Sequence, residues 1–130
     1  MALQKRVKQG GSFYEGYFLA VGSAPGNYPL VITKTNGMAI NSVSVTPDAY
    51  GMFDTWSLKH YNDAAATGSL IAVIATNINN IGANASISLD LPALELMNPN
   101  ESLKFTYINT ASVAVNVYLL AECVGIKKTS

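Results

Sequence analysis

Residues 113–123, with the sequence VAVNVYLLAEC, decide the fold of this chain. From Val113 to Cys123 every second residue is apolar, and a period of two indicates a β-strand with one buried face. The opposite face carries Tyr118 and Leu120, so it is also partly apolar. A strand with two apolar faces is typical of the centre of a sandwich, or of a strand that packs against another subunit.

The same alternation extends upstream, where residues 86–91 and 103–107 have the pattern of half-buried antiparallel strands. Clusters of Gly, Pro, Asn and Asp separate these segments and mark turns. No segment has a convincing helical pattern. The predicted strands span residues 13–22, 28–35, 38–46, 51–61, 69–77, 85–91, 102–109 and 113–124.

Eight short strands in one domain predict an all-β fold, an antiparallel β-sandwich, and the eight-stranded jelly roll suits this number best. The alternative is an immunoglobulin-like sandwich, although the chain has one cysteine and therefore lacks the cysteine pair of true immunoglobulin domains. Within this fold Asn36-Gly37 is the strongest turn signal. It predicts a two-residue hairpin between the strands at 28–35 and 38–46.

The composition indicates a domain that assembles with other proteins. The chain has 130 residues, enough for one domain that buries roughly two-thirds of its unfolded surface. Apolar residues make up 49% of the chain and charged residues 12%, and this charged share is low for a soluble domain. Because charged surface normally keeps proteins apart, such a chain is expected to associate.

The net charge is zero, but the charge is unevenly distributed. The N-terminus carries Lys5, Arg6 and Lys8, and the C-terminus carries Lys127 and Lys128. We therefore predict a flexible basic N-terminal arm at residues 1–12, a β-sandwich domain at 13–126 and a short basic tail at 127–130. The arm either binds an acidic protein surface or is a frayed end in solvent. Without a basic stripe interleaved with aromatic residues, sequence-specific nucleic-acid binding is not expected.

The residue types that catalysis requires are scarce, so we predict no enzyme activity, no catalytic residue, no cofactor and no metal. His60 is the only histidine and Cys123 the only cysteine, too few for a catalytic zinc or iron site. Cys123 lies in an apolar strand, where a buried, inert thiol is expected. Asp48 and Asp63 lie in or near turns, but the spacing of a calcium-binding EF-hand loop is absent.

Two sets of side chains are candidates for binding. Tyr118, Leu120 and Val124 share one face of the last strand, and a second sheet or a neighbouring subunit of a homo-oligomer is expected to bury them. Trp56 and Tyr61 are candidates for a platform on which a sugar stacks. The alternative for Trp56 is a buried anchor of the core.

The first residues contain no apolar segment, so no secretory signal is expected. No stretch approaches the roughly 18–20 apolar residues that a membrane helix needs. We therefore expect a protein that is made in the cytoplasm and does not enter a membrane.

Four features carry a resemblance to a known family. They are the basic segment LQKRVKQGG at 3–11, strands rich in Asn, Ser, Thr and Ala, the segment LPALELMNPNESLKF at 91–105, and the closing strand at 113–123. In these features the chain resembles the small jelly-roll decoration, or cement, proteins of tailed bacteriophage capsids.

This resemblance implies a virion structural protein that attaches in many copies, as dimers or trimers, to the outer surface of a phage head and stabilises it. The implied partners are the major capsid protein or other virion proteins, and Lys5, Arg6 and Lys8 are the expected binding residues of the arm. The alternatives are a carbohydrate- or receptor-binding module of a phage tail or fibre, and a minor virion connector.

Overall fold

The chain folds into eight β-strands, as a computed structural model that describes residues 5–33 and 38–129 shows. No helix occurs within these residues, which confirms the all-β prediction. The strands are β1 Lys5–Val21, β2 Gly26–Thr33, β3 Met38–Pro47, β4 Thr55–Tyr61, β5 Leu70–Asn79, β6 Ile87–Met97, β7 Ser102–Asn109 and β8 Val115–Thr129.

The strands form two four-stranded antiparallel sheets. Sheet A has the order β1-β8-β3-β6, and sheet B has the order β2-β7-β4-β5. Consecutive strands alternate between the sheets, except that β4 and β5 are neighbours in sheet B. This interleaving is that of a double-sheet jelly roll, the predicted fold, and it replaces the immunoglobulin-like alternative.

The hairpin predicted at Asn36-Gly37 falls on residues outside the described part of the chain. The strands on either side of them belong to different sheets. β2 pairs with β7, and β3 pairs with β6 and β8. An Asn-Gly pair favours a tight turn, but the buried faces of the flanking strands decide which strands pair.

The core lies between the sheets and follows the predicted period of two. In β8 the inward residues Val115, Val117 and Leu119 are buried, whereas Tyr118 and Leu120 alternate with them and are exposed. The largest buried side chains come from the facing sheet B, where Trp56 and Phe105 lie with their ring centroids 5.6 Å apart.

The two ends of the chain pair with each other. β1 pairs with β8 along its whole length, from Val21 opposite Val115 to Lys5 opposite Thr129. The register shifts between Gln9 and Ser12, because two residues of β1 at this point have no counterpart in β8. Residues 5–9 and 125–129 then form a two-stranded segment, called here the terminal ribbon.

The terminal ribbon lies across both predicted domain boundaries. Neither residue 12 nor residue 127 separates a strand from an arm or a tail, because β1 and β8 run through both positions. Gly10-Gly11 lies at the register shift. That residues 1–12 act as a flexible arm and residues 127–130 as a tail stays a prediction.

Candidate functional site

The outer face of sheet A carries four exposed apolar side chains, called here the outer stripe: Tyr14, Phe18, Tyr118 and Leu120. Phe18 lies opposite Tyr118 in the register of β1 and β8, and their ring centroids are 5.3 Å apart. Leu120 lies opposite Gly16, which has no side chain. A shallow pocket of about 360 Å³ therefore lies on this face. It is lined by Gly16 and Phe18 of β1, Tyr118 and Leu120 of β8, and Thr46 of β3.

The remainder of this face is polar and carries hydroxyl groups. The hydroxyls of Ser44 on β3 and Ser88 on β6 are 2.9 Å apart, and those of Thr46 on β3 and Ser86, just before β6, are 2.6 Å apart. Each hydroxyl can both donate and accept a hydrogen bond. The face thus combines an apolar region on β1 and β8 with a polar margin, an arrangement typical of protein–protein interfaces.

Of the three residues predicted for an oligomer interface, the structure exposes two. Tyr118 is 50% exposed and Leu120 is 47% exposed, so the second sheet does not cover them. Val124 is 4% exposed and packs with Ala39, its partner in β3. The regular outer face ends before Val124, because β3 shifts register after Ile40. Val124 is therefore removed from the predicted interface.

Hydrogen bonds tie together the loops at one end of the sandwich, and the carboxylate of Asp54 is their centre. Asp54 is fully buried, and its oxygens accept hydrogen bonds from the Tyr107 hydroxyl at 2.7 Å, the Thr110 N–H at 2.7 Å and the Ala111 N–H at 3.1 Å. Asn80 Nδ2 donates to the Tyr107 oxygen at 2.6 Å. Burial, and then the bond to Asp54, raise the pKa of Tyr107 well above its ordinary value.

Exposed apolar side chains stand on the loops around this network. Met52 and Phe53 follow β3, and Ile81 follows β5, in a loop that the Asn80 N–H ties to the Asp54 carbonyl at 3.2 Å. Phe53 is 78% exposed and has a φ of 71°, in the left-handed region that bulky residues rarely adopt. The buried Asp54 network beside it holds this backbone in place.

His60 and Cys123, the residues considered for nucleophilic or acid–base chemistry, are both buried. His60 is 1% exposed, and its Nε2 lies 2.9 Å from Glu101 Oε1. The same Glu101 oxygen accepts the Asn98 N–H at 2.8 Å, so His60 and Glu101 hold the turn before β7. Cys123 is fully buried on the inner face of β8.

The carboxylates considered for calcium accept hydrogen bonds from nearby groups of the protein. Asp48 accepts hydrogen bonds from the backbone and side-chain nitrogens of Asn116 at 2.8 and 2.9 Å. Backbone N–H groups of Gly68 and then Thr67 hold the pKa of Asp63 below its ordinary value. Among the residues that the structure describes, no three His, Cys, Asp or Glu side chains are grouped to hold a metal ion.

The proposed sugar platform of Trp56 and Tyr61 is wrong. Trp56 is 1% exposed and packs in the core, whereas Tyr61 lies half-buried on the outer side of sheet B. The physical reason is the period of a strand, because residues five positions apart point to opposite faces. The core-anchor interpretation of Trp56 is the correct one.

The terminal ribbon brings the two basic ends of the sequence together. Arg6 lies opposite Lys128, and Val7 lies opposite Lys127. With Lys5 and Lys8, the ribbon holds five of the eight basic residues of the chain and no acidic residue. From the sequence, these ends were predicted to be a separate arm and tail. That they pair with each other was not predicted, because this pairing joins two segments at opposite ends of the chain.

No protein-family model and no curated protein matches the sequence. In the described part of the chain, no helix is long and apolar enough to cross a membrane.

Similar solved structures include chains from two viruses. A chain of infectious bursal disease virus, Gx strain, is 9% identical with a TM-score of 0.44, over 95% of this chain and 31% of that chain. A chain of tomato aspermy virus is 11% identical with a TM-score of 0.45, over 88% of this chain and 78% of that one.

A third similar structure is the VP2 subviral particle of infectious bursal disease virus, 10% identical with a TM-score of 0.35. The match covers 39% of the VP2 chain. This chain therefore spans about a third of the length of the bursal disease virus chains that it matches. Similarities this distant carry no conclusion about what this chain binds.

Proposed function

We propose that this chain is a non-enzymatic structural protein of a virus particle, a decoration or cement protein on the outer surface of a phage head. The observation that carries the proposal is the outer stripe, because four large apolar side chains on one exposed sheet face favour contact with another protein. The low charged fraction of the chain supports the same role.

The proposed partner of this face is a second copy of this chain, which pairs through β1 and continues the outer stripe. An edge strand has unpaired backbone N–H and C=O groups, and proteins usually protect such edges with Pro, Lys, charges or bulges. β1 is an edge strand of sheet A, and its residues 13–21 contain one charged residue, Glu15, and neither Pro nor Lys.

The other three edge strands are protected. β2 contains Pro29 and β6 contains Pro92, while β5 shifts register three times against β4. An unprotected edge, with unpaired backbone N–H and C=O groups, and exposed apolar side chains of the outer stripe therefore occur together on β1.

Pairing of two β1 strands about Gly16 is self-complementary. In an antiparallel pair centred on Gly16, Tyr14 of one copy lies opposite Phe18 of the other, and the two outer stripes become continuous. Residues 13–19 of the two copies face each other in this register, and seven paired residues form about seven backbone hydrogen bonds, a number within the range of a standard interface. A two-fold pair of this kind closes on itself, so it gives a dimer and no filament.

The proposed attachment element is the terminal ribbon. Its five cations suit an acidic patch on the major capsid protein, and many copies on one particle make weak single contacts sufficient. Because exposed charge contacts are screened, attachment is expected to weaken as salt rises.

The test of the dimer compares two lysine substitutions on edge strands. Phe18→Lys places a charge on the β1 edge, and we expect monomers by size exclusion with light scattering at a concentration where the unmodified protein is dimeric. Val31→Lys on β2 is the matched control, because Val31 is also exposed on an edge strand, and it should leave the dimer intact. Dimerisation of Phe18→Lys as strong as that of the control would refute the β1 interface.

The test of attachment removes charge without shortening a strand. A variant with Lys5→Gln, Arg6→Gln and Lys8→Gln should stay dimeric and folded but co-sediment with undecorated phage heads at least tenfold less. Unchanged co-sedimentation would exclude the ribbon as the attachment element. If the unmodified protein binds no head at any salt concentration, the decoration role itself fails.

A further inference from the structure

The outer face of sheet B contains a polar groove, called here the lysine groove, with a volume of about 300 Å³. Lys59 and Tyr61 of β4 and Lys104 and Thr106 of β7 line it, with Ser57 of β4 and Asn77 of β5. The proposal made for sheet A and the ribbon uses none of these residues.

The two lysines of this groove lie directly opposite each other. Lys59 and Lys104 are register partners on neighbouring antiparallel strands, and both are partly buried. Cβ atoms of such partners are about 5 Å apart, and like charges in these positions are destabilising. The fold thus holds two positive charges together where opposite charges or neutral residues would be more stable.

The chain supplies no compensating charge on this sheet. None of the four strands of sheet B contains Asp or Glu, whereas β1, β6 and β8 of sheet A all do. Among the described side chains, no carboxylate forms an ion pair with Lys59 or Lys104. A partly buried positive pair without its own counter-charge attracts an anion from outside the chain.

Neutral hydrogen-bonding groups stand beside the lysines. Ser57 lies opposite Thr106, and the Asn77 N–H donates to Ser57 Oγ at 3.2 Å, which leaves the Ser57 hydroxyl proton to be donated. Asn77 has a φ of 52° and lies where β5 shifts register against β4. Irregularities of this kind redirect side chains and are common beside binding sites.

We propose that the lysine groove binds an oxyanion group, such as sulfate, phosphate or carboxylate. The two ammonium groups neutralise the charge of the anion through charge-assisted hydrogen bonds, and hydroxyls on the groove wall bind its remaining oxygens. Tyr61, half-buried at the end of the groove, provides an aromatic surface for the ring of a sugar that carries the anion. The source of the oxyanion is either a free ion or an acidic saccharide.

The first experiment titrates the full chain with sodium sulfate and follows backbone amide resonances by NMR, with sodium chloride at equal ionic strength as the reference. Sulfate should shift amides of Ser57, Lys59, Asn77 and Lys104 in a saturable manner, and chloride should not. Equal shifts with both salts, or shifts spread over the whole surface, would overturn the proposal.

Two variants test whether the lysine pair forms the site. Lys59→Met and Lys104→Met keep most of the unbranched side chain and remove its charge, and each should weaken sulfate binding at least tenfold. Each should also leave the melting temperature equal or higher, because a like-charge contact is removed. Lys127→Gln in the terminal ribbon removes the same charge elsewhere and should bind sulfate as the unmodified protein does. Equal weakening by all three variants would mean unspecific attraction and would refute the site.

The second titration identifies the source of the oxyanion. A sulfated disaccharide and its unsulfated parent are compared with inorganic sulfate. Binding of the sulfated sugar at least tenfold tighter than inorganic sulfate assigns the groove to acidic saccharides. Equal binding of the two assigns it to the free ion. If the unsulfated parent binds as tightly as the sulfated sugar, the oxyanion proposal is wrong. Failure here leaves the β1 dimer and head attachment untouched, because other residues carry them.

Discussion

The outer face of sheet A presents large apolar side chains beside a row of hydroxyls, whereas the outer face of sheet B presents two lysines in a polar groove. Both sheets have the same number of strands, and both turn a similar apolar face toward the common core. Their outer faces are therefore free to differ, because folding depends mainly on the inner ones.

The edges of the sheets repeat this difference. β1 of sheet A has an open edge over residues 13–21, while the edges of sheet B carry Pro29 on one side and an irregular β5 on the other. We infer that the two sheets have different binding roles. Sheet A binds a second protein chain, and sheet B binds a small charged group.

The largest effect is expected at Asp54, whose network links β4 and β7 of sheet B to the loop that leads into β8 of sheet A. Asp54→Ala leaves the Tyr107 hydroxyl and two backbone N–H groups without their acceptor, so the free energy of unfolding should fall by about 3 kcal/mol or more. Urea unfolding followed by Trp56 fluorescence measures this change.

Asp48→Ala is the matched control for Asp54→Ala. Asp48 also caps a backbone N–H, that of Asn116, but it is only partly buried, so we expect a loss of about 1 kcal/mol. If both variants lose the same stability, burial of the Asp54 network is not what fixes this end of the sandwich.

The second prediction concerns association. Tyr14→Ala or Phe18→Ala should each weaken dimerisation by about 2 kcal/mol, roughly 30-fold in the dissociation constant, because these side chains face each other across the proposed β1 pair. Stability of the monomer should change by less than about 1 kcal/mol, because both side chains are at least half exposed in the single chain.

Val73→Ala on sheet B is the control for these association measurements. Val73 is 50% exposed, much as Phe18 is at 51%, and its truncation should leave the dimer unchanged because sheet B lies outside the proposed interface. Analytical ultracentrifugation over a range of concentrations distinguishes the results. An equal effect of all three variants would remove the difference between the two sheets.

Much of the fold could be predicted from the sequence, because alternation of apolar residues is a local signal. The eight strands, their order along the chain and the buried side of β8 are confirmed by the structure. Local signals also have limits. The strand predicted at 51–61 begins only at Thr55, because residues 51–54 form the turn that places Asp54 in its network.

The features that were missed depend on pairing between distant segments. Lys59 and Lys104 are 45 positions apart, and nothing local to either indicates that they are register partners. The pairing of the basic ends, and the burial of Val124 beside Ala39, have the same origin. Only the separation of Trp56 and Tyr61 onto opposite faces could have been predicted, because they are five positions apart and an odd separation in a strand places two side chains on opposite faces.

The third prediction concerns pH and one tyrosine on each sheet. Tyr107 of sheet B donates to Asp54, and Tyr17 of sheet A donates to Glu15 at 2.6 Å. Burial, and then these hydrogen bonds, raise both pKa values above the ordinary value, so the folded state favours the protonated hydroxyls. Their contribution is complete below pH of about 10, and it is lost as pH rises above that value.

Urea midpoints measured from pH 7 to pH 11 test this linkage. Tyr107→Phe should lose about 1–2 kcal/mol at pH 7, because Asp54 and Asn80 lose a partner, and its stability should then fall less steeply above pH 10. Tyr17→Phe should change less at pH 7, since Tyr17 is only partly buried. A Tyr107→Phe variant whose stability falls as steeply as that of the unmodified protein would contradict the raised pKa.

The smallest effect is expected at Gly16, at the centre of the proposed β1 pair. A Cβ at this position has no heavy-atom neighbour nearer than 4.0 Å, so Gly16→Ala fits without strain. Because Gly in a strand costs more backbone entropy than Ala, the free energy of unfolding should rise by about 0.5 kcal/mol. The added methyl also extends the outer stripe, so dimerisation should be equal or slightly tighter. Gly51→Ala is the contrasting variant, because its Cβ would overlap the Asp54 carboxylate and disturb the buried network. Thermal and urea unfolding of the two variants should therefore move in opposite directions. A destabilised Gly16→Ala variant would mean that β1 packs more tightly at this point than its open outer face indicates.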